Sequence, residues 1–533
     1  MKHRMLAVAL AGVVTFAEAE ASPGAGVLTL TGGNWRGGTT LMGREQPYGT
    51  TSCARDLGEM SFCNPCAPLL LSDDGDYVWS DMPFKFAATN GCVHVSCTRG
   101  TLVRTRAGKT LREAYLAAQK AHFPPSGKMP REEFFAKPQY NTWIESCLTT
   151  NNQEMAECYV RGIVANRMPC GVVMLDDGWA KVPGDLVFDE RKFPRPEALF
   201  ALIRANGMRS LVWVTPYVNL TSEFYRRMAG SPLFYKNQAD GTDGRFTFYW
   251  GNPEAACFDL TRRANWKPVR ARFERFLRQY GIDGFKFDFT DAECLRRHKV
   301  FQNCIPADGY PSEGTGAWGD FAAWGFPFHE LRAGWKFGGK PLVVRLQDKG
   351  HSWEDLRQIV PDMIAAGLLG CPFVCPDMIG GGASDSFRKG FDRKLFVRSC
   401  EVQALMPMMQ FSCAPWRVLG EADLGICRAM SELHVKFAPY ILSCARKAAK
   451  DGEPIVRAME YAYPHQGFGK CQQQYMLGDE ILVAPVISED DSVDVRLPAG
   501  LWQDDLGEVH QGPKTVELKE VPLSRLPYFR LRR

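Results

Sequence analysis

Several short apolar runs of this chain end in a carboxylate: 141–145 at Glu145, 171–176 at Asp176, 284–288 at Asp288, 342–348 at Asp348 and 372–377 at Asp377. Grouped carboxylates have two main uses, holding a divalent metal or cleaving a glycosidic bond with one group as nucleophile and another as acid/base. Metal centres favour histidine, and of the nine histidines none stands at these run ends; only His351 lies just past one. Trp143, Trp179, Trp213 and Trp353 lie at or just beyond the same ends, and flat rings beside acids suit a sugar. Lys286 precedes Asp288 by two residues, on the same side of a strand, where it would keep Asp288 ionised and reach a substrate hydroxyl. No metal and no cofactor is implied.

Carboxylates so far apart in sequence need a scaffold that brings them together. From about residue 140, apolar runs alternate with helix-length stretches over some 300 residues, the pattern of repeated β-then-α units and a parallel sheet. That length suits a closed (β/α)8 TIM barrel, in which all strand C-termini open on one face and would gather the acids into one pocket. Before it, residues 22–135 show short runs broken by Gly, Asn and Asp, which reads as an N-terminal β-sandwich. After it, residues 450–533 return to short strands with Gly and Pro between them, a C-terminal all-β domain. The fold class is therefore α/β, with a barrel over 136–449 and a β-module on either side.

The first 21 residues read as a secretory leader: Lys2, His3 and Arg4, an apolar run to Ala17, then two small-x-small cleavage options ending at Ala19 and Ala21. A mature chain starting near Glu20 or Ser22, secreted or periplasmic, is expected, and no later run is long and apolar enough to span a membrane. The 533 residues carry 64 basic and 60 acidic side chains with no basic block, which argues against a nucleic-acid partner. Hydrophobic residues at 45% and charged residues at 23% exclude a disordered chain. The 18 cysteines fit an oxidising compartment, and Cys53, Cys63, Cys66, Cys92, Cys97, Cys294 and Cys304 lie close enough in sequence for disulfides whose pairing stays open. Zinc on Cys63, Cys66, Cys92 and Cys97 is the weaker alternative, since the second pair is five apart and no histidine is patterned nearby.

The stretch Gly281-Ile282-Asp283-Gly284-Phe285-Lys286-Phe287-Asp288 resembles the nucleophile motif of glycoside hydrolase family 31, the retaining α-glycosidases. Leu175-Asp176-Asp177-Gly178-Trp179, Phe193-Pro194-Arg195-Pro196 and Leu211-Val212-Trp213-Val214 are similar to the family's substrate-binding strand and next barrel unit. Asp348, followed five residues later by Trp353, is similar to its acid/base segment, and 476–486 and 497–502 to its C-terminal module. The resemblance runs from about Leu70 nearly to Arg533.

It implies an exo-acting retaining α-glycoside hydrolase with Asp288 as nucleophile, Asp348 as general acid/base and Asp176 on the sugar hydroxyls. Asp177, Trp179, Trp213, Lys286, Arg345, Trp353 and Asp377 are the further candidates for substrate contact. The chemistry then asks for a nucleophile whose pKa is lowered and an acid whose pKa is raised. The chain departs from the family at two places. Arg345-Leu346-Gln347-Asp348 stands where Trp-x-Gly-Asp is usual, which keeps Asp355 and Asp377 open as substitutes for the acid. Gln410-Phe411-Ser412 stands where many members have Arg-Asn-His, the histidine touching the sugar. The cleaved sugar is α-glucose by family precedent, with α-galactose or another α-hexose as alternative. A secreted carbohydrate-binding protein on a barrel that has lost its activity is the reading from another class.

Overall fold

Eight short strands run in parallel in chain order: β1 Gln139–Asn141, β2 Val172–Leu175, β3 Arg209–Val214, β4 Gly284–Phe287, β5 His329–Leu331, β6 Val344–Arg345, β7 Val374–Cys375 and β8 Gln410–Phe411. β8 pairs back onto β1 through Gln139 and Tyr140, and Ile379, just past β7, bridges to Phe411, so the sheet is a nearly closed barrel. The computed structural model describes residues 20–22, 26–41, 43–49, 52–58, 64–89, 91–247, 254–288, 303–305, 309–388 and 390–532. The leader expected over 1–21, up to its last two residues, lies outside the described residues, as do Cys63 and Cys294.

The barrel strands are buried on both faces, which is why β2 reads Val-Val-Met-Leu without alternation. Outside them pack amphipathic helices. Gln153–Ala165 starts where the Asn152 side chain accepts from Met155 N, and it turns Ala156, Tyr159, Val160 and Ile163 inward at helical spacing. Trp266–Tyr280 stops at Gly281, whose φ of 67° is the left-handed cap that glycine adopts without strain. Helix Trp353–Leu368 separates β6 from β7, and Arg393–Ala404 separates β7 from β8.

Before the barrel, two sheets face each other. One contains Trp35–Thr39, Pro65–Ser72, Asp76–Ser80 and Leu102–Arg106; the other contains Gly26–Leu30, Cys53–Asp56, Lys85–Thr89 and Cys92–Cys97. Leu30, Trp35, Leu70, Val78, Phe86, Val93 and Val95 fill the space between them, a sandwich core. Cys92 and Cys97 close opposite ends of one strand, about 16 Å apart at strand rise, too far to share a zinc ion. The sandwich also reaches the barrel. Gly334–Trp335, just past β5, adds a parallel strand to Pro65 and Cys66, and Trp335 enters the sandwich core. After the 31-residue helix Glu421–Asp451, strands from Val456 to Arg532 form one six-stranded antiparallel sheet with its own core around Met476, Leu482, Trp502 and Phe529.

Two elements differ from expectation. The run 141–145 is not a strand ending at Glu145. β1 stops at Asn141 and Glu145 sits in helix Trp143–Leu148, because the Asn141 side chain accepts from Trp143 N and turns the chain. The strand β5, His329–Leu331, has no counterpart among the expected apolar runs. Among the described residues no helix is long and apolar enough to cross a membrane.

Candidate active site

Alternation along β4 decides what faces the barrel mouth. Phe285 and Phe287 turn outward onto Phe273, Trp318 and Phe326, so Lys286 and Asp288 turn inward. Lys286 Nζ lies 2.6 Å from Asp176 Oδ2 at the end of β2 and 3.8 Å from Asp288 Oδ2. Trp213 on β3 donates its indole N–H to Asp288 Oδ2 at 2.9 Å. Lys286 on β4 and Trp213 on β3 thus both hold the Oδ2 side of Asp288. Asp177, beside Asp176, is pushed up to about 7 by burial and by the charge of Asp176.

The other half of the cluster comes from β5, β6 and β7. Arg332 is the residue after β5. Its Nε and Nη2 lie 3.1 and 3.0 Å from Asp288 Oδ1, and its Nη1 donates to Asp348 Oδ2. One guanidinium therefore stands between the two candidate catalytic carboxylates. Arg345 on β6 donates from Nη2 to Asp348 Oδ1 at 2.8 Å and from Nη1 to Asp377 Oδ1 at 2.6 Å. Asp377 also accepts from Lys349 N at 2.6 Å. Gly382 closes over this pair: a Cβ there would stand 2.7 Å from Asp377 Oδ1 and 2.8 Å from the Asp348 Cα.

Exposure separates the carboxylates. The Asp348 side chain keeps 31% of its surface, against 7% for Asp288 and 2% for Asp377, so Asp348 alone among these three can exchange a proton readily with water. Burial raises the Asp348 carboxyl, but Arg332 and Arg345 outweigh it and hold the group below the usual carboxylate range. That differs from the raised acid expected from the chemistry, and the cause is the two arginines. Asp377 is pushed up to about 6, by burial first, against the pull of Arg345. The counter-charges to these acids are Lys286, Arg332 and Arg345, which take up the faces a divalent cation would need.

Several expected residues are not brought to the cluster. Trp179 is 2% exposed, donates to Trp213 O at 2.9 Å and packs on Phe188 and Phe276, so it supports β3 from behind and is no sugar platform. Trp353 donates to Asp392 Oδ2 at 3.0 Å, at the start of its helix. Asp355 lies in the first turn of that same helix, where its N–H donates to the capping Ser352 hydroxyl and its carboxylate accepts from it. Glu145 is bound by Arg417 Nε at 2.6 Å and Ala414 N at 2.9 Å, a purely structural pairing. Gln410 and Ser412 are fully buried: Gln410 donates to Glu330 at 2.7 Å, and Ser412 donates to Gly381 O at 2.7 Å. Neither presents a hydroxyl reader to the mouth.

A family model described as the glycosyl hydrolases family 31 TIM-barrel domain matches residues 135–317, and one described as the family 31 C-terminal domain matches 452–531. The chain belongs to glycoside hydrolase family 31. The mouse (Mus musculus) myogenesis-regulating glycosidase is 29% identical over 425 residues, 77% of this chain and 58% of that protein. A 1,3-alpha-isomaltosidase of Kribbella flavida is 23% identical over 66% of this chain and 52% of its own length. The chain thus spans little more than half of these relatives. Among solved structures, the family 31 dextranase of Flavobacterium johnsoniae complexed with glucose superposes with a TM-score of 0.83 at 19% identity, covering 96% of this chain and 67% of that one. An α-xylosidase from a soil metagenome complexed with xylose superposes with a TM-score of 0.79 at 20% identity, covering 96% and 81%. Both likenesses are of fold. Within this family 31 chain, Arg332 is the residue that sequence reasoning missed. It follows a strand too short and polar to stand out, and nothing in the sequence separates it from Arg296 and Arg297, which also lie between the runs ending at Asp288 and Asp348.

Proposed function

We propose that the protein is an exo-acting retaining α-glycoside hydrolase. The observation that carries this reading is the Arg332 guanidinium bound at once to Asp288 and Asp348, which sets the two carboxyl groups across a gap of one small planar group at the mouth of the barrel. Retaining enzymes use carboxyl groups about 5 to 5.5 Å apart, whereas inverting ones need about 6.5 to 9.5 Å to admit a water. In this mechanism Asp288 attacks the anomeric carbon while Asp348 gives its proton to the departing oxygen. A water, deprotonated by Asp348, then cleaves the glycosyl ester and frees Asp288. Trp213 and Lys286 on Asp288 stabilise its anionic form, and Asp176 remains to accept from sugar hydroxyls.

The terminal sugar is an α-hexose. α-Glucose is the family precedent, and α-galactose or another α-hexose is the alternative, because the position where many members read a sugar hydroxyl is here spent on internal bonds of Gln410 and Ser412. A pocket that reads hydroxyls separates epimers strongly, so this loss changes which sugar fits. Relatives named as isomaltosidase, α-glucosidase and α-xylosidase support the glycosidase class and span several sugars. We also propose export, on the basic and apolar pattern of the first 21 residues. The experiment is a comparison of kcat/KM for aryl α-glucoside, aryl α-galactoside and maltose. Aryl α-hexoside turnover with maltose a poor substrate is expected. Maltose as the best of the three contradicts the reading of β8, and no turnover of any favours the carbohydrate-binding alternative.

A further inference from the structure

Asp348 is gripped by two arginines that differ in kind. Arg332 lies between Asp348 and Asp288, so a sugar entering between the two carboxylates would compete with it for both. Arg345 has no such freedom. It is 1% exposed; Nη1 is committed to Asp377 at 2.6 Å and Leu346 O at 3.0 Å, Nη2 to Asp348 at 2.8 Å, and Nε faces Glu330 Oε1 at 3.6 Å. A side chain so enclosed touches no substrate, which withdraws the expectation that Arg345 binds sugar. Its position is also the one where the family pattern Trp-x-Gly-Asp carries a neutral ring. This chain has put a fixed cation against the acid/base carboxyl.

We propose that Arg345 is a positioning residue that locks the Asp348 carboxyl between β6 and the segment after β7 and sets the pH at which Asp348 takes up its proton. The proposal rests on the glycosidase reading for its effect on turnover, though not for the titration itself. Among the described residues, the charged groups that face Asp348 are Arg332 from the end of β5, Arg345 from β6, Asp288 and Lys286 from β4, and Asp377 after β7 across Arg345. Among the described residues Arg345 is the other cation in direct contact with Asp348, and it would remain there if a sugar took the place of Arg332. It orients the proton-carrying oxygen, because Oδ1 is held on Arg345 and Oδ2, the atom Arg332 would release, is the one turned toward Asp288 and the leaving group.

The test uses Arg345→Met and Arg345→Lys, with Asp348→Asn to assign the carboxyl band in pH-difference infrared spectra. The band lost in Asp348→Asn is expected to titrate about one pH unit higher in Arg345→Met, a tenfold gain in proton affinity, and to move less in Arg345→Lys. The alkaline limb of kcat/KM should rise with it, and turnover of methyl α-hexoside should fall at least tenfold more than that of 2,4-dinitrophenyl α-hexoside, whose leaving group needs no acid. An unmoved band in both variants overturns the proposal, as does an equal fall on both substrates with an unmoved limb. A moved band in a protein that turns over no α-hexoside upholds the positioning role and rejects the glycosidase reading. Should Arg345→Met fail to fold, because Glu330 and Asp377 lose their cation, Arg345→Lys carries the same comparison.

Discussion

Asp288 and Asp348 differ in what surrounds them, and the difference fits the tasks proposed for them. Asp288 is dry and tied to Trp213, Lys286 and Arg332, a setting for an anion that must stay an anion until it attacks. Asp288→Ala should lower kcat by several orders of magnitude while an iminosugar still binds, measured by steady-state kinetics and calorimetry. Asp348 is more open and is held below the usual range by Arg332 and Arg345 against the cost of desolvation. A general acid works only below its own pKa, so on the proposed mechanism the free enzyme would lose its acid at low pH, and a sugar that displaced Arg332 would let the complex keep it to higher pH. The alkaline limb of kcat, which reports the complex, should therefore lie at higher pH than that of kcat/KM, which reports the free enzyme. Coincident limbs would mean that Arg332 stays on Asp348 through turnover.

The loops that carry these groups are held by neighbours, and their stiffness can be tested. Gly382 leaves no room for a side chain beside Asp348 and Asp377, so Gly382→Ala must displace one of them. Displacement of about 1 Å at a reacting group costs on the order of a hundredfold, so kcat should fall by roughly that much while thermal unfolding shifts by only a few degrees. Asn64 of the sandwich donates to Gln347 Oε1 at 3.1 Å and accepts from Gln347 N at 3.0 Å, one residue before Asp348. Asn64→Ala is expected to destabilise by about 1 kcal/mol and to lower kcat more than it changes KM, checked by denaturation and kinetics. The strands legible in the sequence were the apolar ones, β2, β3, β4 and those near 344 and 374, since a strand buried on both faces has to be apolar. β5 was hidden because its centre, Glu330, points into the barrel and binds Gln410 across it, so a buried strand reads as polar. With β5 went Arg332. Glu145 misled for the opposite reason: an apolar run stops early when a side chain turns the backbone, as Asn141 does.

At the scale of the whole molecule, a barrel between two β-modules was legible from the change of periodicity alone. What composition could not show is that the sandwich is stitched into the site through Trp335 and Asn64, because contacts between modules leave no pattern in sequence. The carboxyls whose affinity for protons is raised also leave a signature in stability. Asp177, pushed up to about 7, and Asp377, pushed up to about 6, keep protons in the folded state that the unfolded chain releases near pH 4. Where the folded state binds more protons, stability falls as pH rises, so these groups weaken the fold between about pH 4 and 7. Asp348 acts with the opposite sign, since its contribution is present above the unfolded value and is lost only as pH falls through its depressed folded value. Asp177→Asn should flatten the fall in melting temperature between pH 5 and 7, read by calorimetry at both values; an unchanged slope would show that Asp177 is ionised in the folded protein.

The assignment of Asp288 as the nucleophile of a retaining reaction is tested most directly by trapping. Incubation with 5-fluoro α-glucosyl and α-galactosyl fluorides, followed by digestion and peptide mass analysis, should place one hexosyl label on Asp288, with inactivation in step with labelling and none in Asp288→Ala. A label on Asp176, Asp348 or Asp377, or turnover of aryl α-hexosides with inverted first product and no trapped ester, would contradict it.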